Sequence, residues 1–193
     1  MWHQLLIREL YITDTMQGKI LFQERQTFKR SPIIWVSMIS ATAMLAWITI
    51  GAYRQILLGD PMGDNYMSDT SLITLVSSVF ILLVAIYVFI FSHLLEVKVD
   101  NGGIYYRFVP YFSRQRYIRW EELEKYWVRK YQPIAEYGGW GLRVTFKKSG
   151  KAYNIQGDKG LQLVFKNGKR LLLGTQRAIE LDKVLSKIKN EVE

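Results

Sequence analysis

The residues of this sequence that could carry out chemistry are few, and they do not combine into a catalytic set. There is no cysteine, which excludes disulfides, thiolate metal ligands and cysteine nucleophiles. The two histidines, His3 and His93, lie on opposite sides of the first apolar stretch, so a zinc site is not expected. The clustered carboxylates of Glu121, Glu122 and Glu124 are explained by a solvated turn. The sequence therefore predicts a protein that is not an enzyme and that has no cofactor and no metal site.

Positive charge is the chemical feature that stands out. From residue 94 onward the chain has 20 basic residues against 11 acidic ones. Surfaces of this kind bind nucleic acid or the anionic headgroups of a membrane. Because residue 94 directly follows an apolar stretch, docking on the lipid leaflet or on a protein partner is a better interpretation than nucleic-acid binding. The densest groups of basic residues are Arg114, Arg116 and Arg119, and then Lys147, Lys148 and Lys151.

A second candidate site is a tryptophan surrounded by three glycines, at positions 138, 139 and 141. Glycine permits backbone angles and close approaches that other residues forbid. One hypothesis is a recognition loop in which the indole or a following arginine contacts a partner. The alternative, which we prefer, is a bulge that begins a strand, with the indole in the core. The residues of the candidate loop are Tyr137, Gly138, Gly139, Trp140 and Arg143.

Two uncharged apolar stretches precede these candidate sites. Leu72–Ser92 runs for 21 residues without a charge, and at about 1.5 Å per residue a helix of this length crosses the roughly 30 Å hydrocarbon layer. Pro32–Tyr53 has a similar length and is bracketed by Lys29, Arg30 and Arg54. We therefore predict transmembrane helices over residues 32–53 and 72–93, joined by an extracytoplasmic loop over 54–71. Small residues in the first helix predict packing against the second helix or, alternatively, oligomerisation; they are Ser37, Ala41, Thr42, Ala43 and Ala46.

The distribution of lysine and arginine predicts the orientation. Five of the 26 basic residues lie in the first 30 positions, one lies in the connecting loop, and the other 20 follow residue 93. Basic residues near the spans stay in the cytoplasm. We expect a multi-pass protein of the inner cell membrane with both termini cytoplasmic. Residues 1–31 form an N-terminal cytoplasmic segment, in which Leu5 to Ile12 are either an interfacial helix or a poorly ordered tail.

The segment 94–193 has the pattern of an α+β domain. Strand-like runs alternate with turn signals, of which Asn167-Gly168 is the strongest. Apolar residues from Ala178 to Val192 recur at helical spacing and predict one amphipathic helix at the end of the chain. The seven predicted strands are Leu94–Val99, Ile104–Val109, Arg114–Arg119, Lys125–Tyr131, Trp140–Phe146, Leu161–Phe165 and Arg170–Leu173.

The runs EYGGWGLR (Glu136–Arg143) and AYNIQGDKGLQLVFKNGKRLLLGTQ (Ala152–Gln176), with the helix that follows, resemble a family of uncharacterised bacterial membrane proteins. In that family a two-helix anchor precedes a bacterial PH-like domain. The resemblance implies a PH-like seven-strand antiparallel β-barrel or sandwich capped by the C-terminal helix. The first hairpin turn, Asp100 to Gly103, lacks the basic cluster of phosphoinositide-binding PH domains, so that activity is not implied.

These observations predict a binding or scaffolding module held at the cytoplasmic leaflet. The expected partner is another membrane protein, bound through strand-edge or groove contacts of the β-domain. The first alternative is a sensor of the anionic lipid surface, and the second is an oligomeric small conduit. A homo-oligomer is the alternative to a different membrane protein as partner.

Overall fold

The structure, a computed structural model, describes residues 19–192 with the exception of 62, 64 and 146–148. The apolar face predicted between Leu5 and Ile12 lies outside these residues. The described chain forms two compact units. One, the helical unit, is Phe28–Ser92. The other, the β-domain, joins the described residues up to Thr27 to those from His93 onward.

The helical unit contains two long helices, α1 over Pro32–Leu58 and α2 over Asp69–Ser92. Pro32 occupies the first turn of α1, where its missing N–H leaves no hydrogen bond unmade. Gly59 ends α1 in the left-handed conformation, with φ of 65°. Both helices are long and apolar enough to cross a membrane, and the most hydrophobic window of each is unburied. The predicted helices are therefore present, although α1 continues past Tyr53.

Contacts between α1 and α2 lie on one face of each helix. The Tyr87 hydroxyl on α2 donates to the Met38 carbonyl oxygen at 2.8 Å and lies 2.6 Å from the Thr42 hydroxyl. The rings of Trp35 and Phe91 are 5.7 Å apart. Ala41 is half-buried on this face, in agreement with packing against α2. The remaining small residues are exposed, and oligomerisation through them stays a prediction; they are Ser37, Ala43 and Ala46.

The first sheet of the β-domain, sheet A, is an antiparallel meander of four strands. Its turn between the second and third strands is held by Asp100, whose Oδ1 accepts hydrogen bonds from the amides of Gly102 and Gly103. The predicted first hairpin is therefore present, and its two strands pair antiparallel. The strands are β1 (Phe22–Thr27), β2 (Leu94–Val99), β3 (Gly103–Val109) and β4 (Phe112–Arg119).

The second sheet, sheet B, has five strands in the order β5-β8-β9-β7-β6. All its pairs are antiparallel except β7 with β9, which are parallel. A 3-10 turn over Trp120–Glu122 leads into the sheet, and a short helix, α3 (Pro133–Tyr137), follows its first strand. The strands are β5 (Leu123–Lys130), β6 (Gly141–Val144), β7 (Lys151–Asn154), β8 (Lys159–Phe165) and β9 (Arg170–Gly174).

The predicted C-terminal helix is α4 (Ala178–Val192), and it supplies part of the core. Just before α4, the Thr175 hydroxyl accepts a hydrogen bond from the Arg177 amide at 3.1 Å. One face of α4 is buried at three- and four-residue spacing, as an amphipathic helix requires. The buried residues of that face are Ala178, Leu181, Leu185 and Ile188.

Three features of the predicted fold are wrong. The strand pairing is not antiparallel throughout, because β7 and β9 are parallel. The sheets are not closed on each other, so the barrel form of the prediction is excluded. The described residues also form nine strands rather than seven, because β1 and β7 have no clear signal in the sequence. β7 has only four residues, and β1 turns two polar side chains inward, Glu24 and Gln26, both at least nine-tenths buried.

The inward polar side chains of β1 find their partners far along the chain. Glu24 accepts hydrogen bonds from the Thr175 hydroxyl at 2.6 Å and from the Gln176 amide at 2.9 Å. The Gln26 amide donates to the Gly174 carbonyl oxygen at 2.7 Å. Because β1 pairs with β2 from Phe22 to Thr27, the helical unit is an insertion between two neighbouring strands of sheet A.

Candidate functional site

One cavity of the β-domain is an open groove of about 470 Å³ between the two sheets. Sheet A contributes residues of β3 and β4, whereas sheet B contributes residues of β6, β7 and the β8–β9 hairpin. We call it the basic groove. The side chains that define its chemistry are Tyr106, Arg116, Lys151, Tyr153, Lys169 and Arg170.

Electrostatics distinguish this groove from the rest of the surface. Four cationic side chains line it, and no carboxylate of the described residues does. Among the described residues, none of these four cations forms an ion pair, although most other arginines of the β-domain do. Like charges brought together without a counter-ion repel each other in the empty groove and attract an anion strongly.

Two tyrosines form the floor of the groove. The rings of Tyr106 and Tyr153 stack with centroids 5.8 Å apart, and both residues are buried. Burial raises the pKa of each phenol, and the charge of Arg116 only partly opposes this rise. Both hydroxyls are therefore protonated at neutral pH, and a hydroxyl in that state donates a hydrogen bond to an anion.

Packing holds Arg116 at the groove. Its guanidinium carbon lies 4.0 Å from the centre of the Phe112 ring, a cation–π contact. The Phe112 ring also packs edge-on against Tyr153, with ring centroids 5.3 Å apart. The arginine is thus oriented before any ligand arrives, which lowers the entropic cost of binding.

The β8–β9 turn positions two more cations of the groove, Lys169 and Arg170. Gly168 adopts a φ of 79°, and the Asn167 side chain accepts a hydrogen bond from the Lys169 amide at 3.0 Å. Opposite this turn, Gly150 brings its backbone against Arg170. A Cβ at position 150 would lie 2.4 Å from the Arg170 carbonyl oxygen, so the wall of the groove requires glycine there.

The structure divides the predicted basic clusters. Arg116 and Lys151 come together at the groove. Arg114 is exposed on β4 and does not line the groove, and Arg119 is paired with Glu122 at 3.4 Å. Lys147 and Lys148 lie outside the described residues. The sequence pattern missed Lys169 and Arg170, although a Lys-Arg pair directly after an Asn-Gly turn signals two cations at the end of a hairpin.

The predicted recognition loop is well ordered by internal hydrogen bonds. Tyr137 is buried, with a raised pKa caused by that burial, and its hydroxyl donates to the Ser149 carbonyl oxygen at 3.2 Å. Gly138 and Gly139 have φ of 73° and 119° and end α3. The Trp140 indole N–H donates to the Gly157 carbonyl oxygen at 2.9 Å.

Trp140 is not a core residue, contrary to the preferred interpretation of its sequence context. It is 37% exposed, and the exposed Arg143 donates to its carbonyl oxygen at 2.9 Å. Next to this loop, Ile134 on α3 is 71% exposed. We call Ile134, Trp140 and Arg143 the loop surface.

An ion pair supports α3 beneath the loop surface. The Arg129 guanidinium donates two parallel hydrogen bonds to the Glu136 carboxylate, at 3.1 and 2.6 Å. These bonds lower the pKa of Glu136 and raise the pKa of Arg129. We call this pair the clamp: each side chain neutralises the charge of the other, and together they hold α3 to β5.

The arrangement of these sites suits binding. No group of three or more histidine, aspartate or glutamate side chains that could hold a metal occurs within the described ranges. The basic groove offers positive charge and hydroxyl donors, and the loop surface offers an apolar and aromatic patch beside an arginine. These groups recognise ligands through charge and contact area.

Comparison with known proteins identifies no relative: no family model matches this chain, and no curated protein matches it. The resemblance to two-helix bacterial membrane proteins with a PH-like domain therefore stays a prediction. The functional argument consequently depends on the geometry of the chain itself.

Proposed function

We propose that this protein is a membrane-anchored binding and scaffolding module at the cytoplasmic leaflet, with another membrane protein as its partner. The observation that carries the proposal is the insertion of two long apolar helices between β1 and β2, which are paired neighbours in one sheet. Such an insertion joins the β-domain to the helices through two chain connections, one after β1 and one before β2. A tether of this kind suits a protein that works at the membrane surface.

The lengths of the helices and of their connections support the anchoring. With 27 and 24 residues, α1 and α2 are about 40 and 36 Å long at the usual rise, enough for one crossing each. Thr27 and Leu94 are register partners in sheet A. Because partners on neighbouring strands lie about 5 Å apart, both ends of the helical unit return to one side of the membrane.

The excess of lysine and arginine in the β-domain favours the cytoplasmic side of the inner membrane for that domain. The turn between α1 and α2 then lies outside. The connection between α2 and β2 is the single residue His93, and residues 28–31 connect β1 to α1. Such short tethers keep the β-domain close to the headgroups.

A PH-like architecture is the fold that we propose for the β-domain. A four-strand antiparallel meander, a second sheet and a C-terminal amphipathic helix follow one another along the chain, which supports this assignment. The parallel pairing of β7 with β9 is a departure from it. We propose no enzymatic activity for this fold.

The loop surface is where we expect the partner protein to bind. Tryptophan and arginine are the residue types that contribute most to protein–protein interfaces, and Trp140 and Arg143 are adjacent and exposed. Ile134 adds an apolar side chain of which 71% is exposed. The clamp between Arg129 and Glu136 holds the surface in place, so little order has to be gained on binding.

The topology has a direct test, because the absence of cysteine makes any introduced cysteine unique. Met67→Cys reports the turn between the helices, and Ser186→Cys reports α4. In intact cells a membrane-impermeant maleimide should label the variant at 67 and should label the variant at 186 only after permeabilisation. Labelling of position 186 from outside would contradict the proposed orientation.

The partner is tested by photo-crosslinking from the loop surface. A photoreactive amino acid at position 134 should give a discrete cross-linked membrane protein in native membranes, and Trp140→Ala should abolish that product. The matched control is the same photoreactive residue at position 179, where Ile179 is equally exposed on α4. Equal products from 134 and 179, or products that persist in Trp140→Ala, would contradict the assignment of this surface.

A further inference from the structure

We propose that the basic groove binds the phosphate group of an anionic phospholipid, with Arg116 as its central ligand. This inference rests on the proposed function, because the membrane that anchors the β-domain supplies the lipid. It adds a ligand site that is separate from the loop surface. The groove and the loop surface share none of their defining residues.

The first argument is the chemistry of the groove. Arg116, Lys151, Lys169 and Arg170 line a space to which the described part of the chain contributes no carboxylate. A guanidinium presents paired donors that match two phosphate oxygens, whereas the lysine ammonium groups add point charges. The rings of Tyr106 and Tyr153 stack, and their hydroxyls complete a set of donors that suits a phosphate.

The second argument is the apolar part of the same groove. Val144, Phe165 and Leu171 line it together with the cations. A free inorganic anion gains nothing from apolar contacts, whereas the glycerol and the first acyl carbons of a lipid are stabilised by them. Burying these carbons adds favourable free energy at roughly 25 cal/mol per Å² of apolar surface. The mixed lining therefore fits an amphiphile with an anionic head.

The third argument is the location of the groove within the β-domain. A continuous aromatic series connects it to His93, the residue through which the chain arrives from α2. The ring of His93 lies 5.5 Å from that of Tyr111 and 5.8 Å from that of Phe108. Phe108 in turn lies 6.5 Å from Phe112, on which Arg116 stacks.

Tyr111 is 48% exposed in the β3–β4 turn, at the His93 end of that series. Tyrosine is enriched where a protein meets the membrane–water interface. A series of packed rings inside the β-domain thus joins the basic groove to His93, the residue that follows α2 in the chain. Lipid headgroups are consequently the most concentrated phosphate compounds near it, and we favour them over an acidic protein segment.

The test uses the full chain, purified in micelles of a zwitterionic detergent. The probe is dioctanoyl phosphatidylglycerol, a short-chain anionic lipid, and its binding is measured by isothermal titration calorimetry. Dioctanoyl phosphatidylcholine, inorganic phosphate and a polyglutamate peptide are titrated in parallel. We expect saturable binding of the anionic lipid that weakens as salt is raised, with no saturable binding of phosphatidylcholine.

Matched variants locate the site. Arg116→Gln should weaken lipid binding by about tenfold or more, because the central charge-assisted hydrogen bonds are lost. The double variant Lys169→Gln with Arg170→Gln, at exposed positions before and at the start of β9, gives a second measurement outside the aromatic packing. Arg119→Gln is the control: it removes the same charge from the same strand at a residue outside the groove, and less than about a twofold change is expected.

The outcomes separate the occupants. Equal affinity for phosphatidylcholine, or equal losses in Arg119→Gln and the groove variants, would overturn a phosphate site in this groove. Tight binding of polyglutamate that depends on Arg116, without lipid binding, would overturn the lipid and assign the groove to a protein. Inorganic phosphate binding as tightly as the lipid would overturn the role of the apolar wall. None of these results touches the topology or the cross-linking from position 134, so failure here is distinguishable from failure of the proposed function.

Discussion

Two clusters of basic side chains lie in the β-domain, and the structure treats them in opposite ways. On one face of sheet A, Arg25 and Arg107 flank Glu96, which is only 1% exposed, at 2.8 and 2.6 Å. Burial alone would raise the pKa of Glu96, but hydrogen bonds from Arg25, Gln23 and Arg107 outweigh it and lower the pKa. In the basic groove, by contrast, the described lining contains four cations and no carboxylate.

The comparison shows that the type of residue does not decide its role. The arginines beside Glu96 are neutralised and contribute to stability, so they have no spare capacity for a ligand. The cations of the groove line one space without a described counter-ion, so we expect like-charge repulsion there to cost the fold some stability. An arrangement that costs stability in the absence of a ligand is typical of a binding site. Four predictions test this difference.

The largest effect is expected from Glu96, Arg25 and Arg107, which we call the neutralised cluster. Glu96→Gln leaves Arg25 and Arg107 facing each other across sheet A without a counter-charge. The free energy of unfolding should fall by about 2–3 kcal/mol, below the full value for a buried ion pair because Arg25 is 61% exposed. Urea unfolding of the full chain in micelles, followed by near-UV circular dichroism, measures the loss. Glu180→Gln, at the exposed pair with Arg177, is the control and should cost well under about 1 kcal/mol.

The wall of the groove gives the next largest effect. Gly150→Ala combines a φ of 76° with a Cβ placed against the Arg170 backbone, and should destabilise the β-domain by about 2 kcal/mol. Gly168→Ala has a similar φ of 79° but open space around it, so about 1 kcal/mol is expected. Equal losses in the two variants, measured by the same unfolding experiment, would show that the close approach at Gly150 is unimportant.

The pH dependence of stability should also come from the neutralised cluster. Because the pKa of Glu96 is lower in the folded chain than in the unfolded chain, its stabilisation is present above the ordinary glutamate value of 4.5 and is lost as the pH falls through the lowered folded value. Glu136, whose pKa is also lowered, acts in the same direction. Unfolding free energies between pH 7 and pH 3 should therefore fall more steeply in the wild type than in Glu96→Gln. Parallel pH profiles would contradict the role of Glu96.

The smallest effect on stability is expected in the groove. Arg170→Gln removes one of four like charges and should leave the free energy of unfolding unchanged or raise it by about 0.5 kcal/mol. The same variant should bind the anionic lipid more weakly. A loss of stability comparable to that of Glu96→Gln would mean that Arg170 is a structural residue, and the contrast between the two clusters would disappear.

Strand β1 shows why part of the fold was not predictable. Its sequence, FQERQT, has no apolar alternation, because the inward positions carry Glu24 and Gln26. Glu24 is tolerated there because the Thr175 hydroxyl and the Gln176 amide donate to its carboxylate, and the Gln26 side-chain N–H donates to the Gly174 carbonyl oxygen, all from about 150 residues away. A local pattern holds no information about such partners. The strand β7 was not predicted for a simpler reason: its four residues are too few to show a hydrophobic period.

The sequence by itself determined the two apolar helices, the β2–β3 hairpin, the β8–β9 turn and the amphipathic α4. Each of these depends on hydrophobic periodicity or turn chemistry within a short stretch of chain. Only the tertiary structure decided that β1 joins sheet A, that Trp140 reaches the surface, and that Arg116, Lys151, Lys169 and Arg170 share one groove. The physical reason is that a charge or a polar group takes its role from its neighbours in space, and sheet pairing brings those neighbours together from distant parts of the chain.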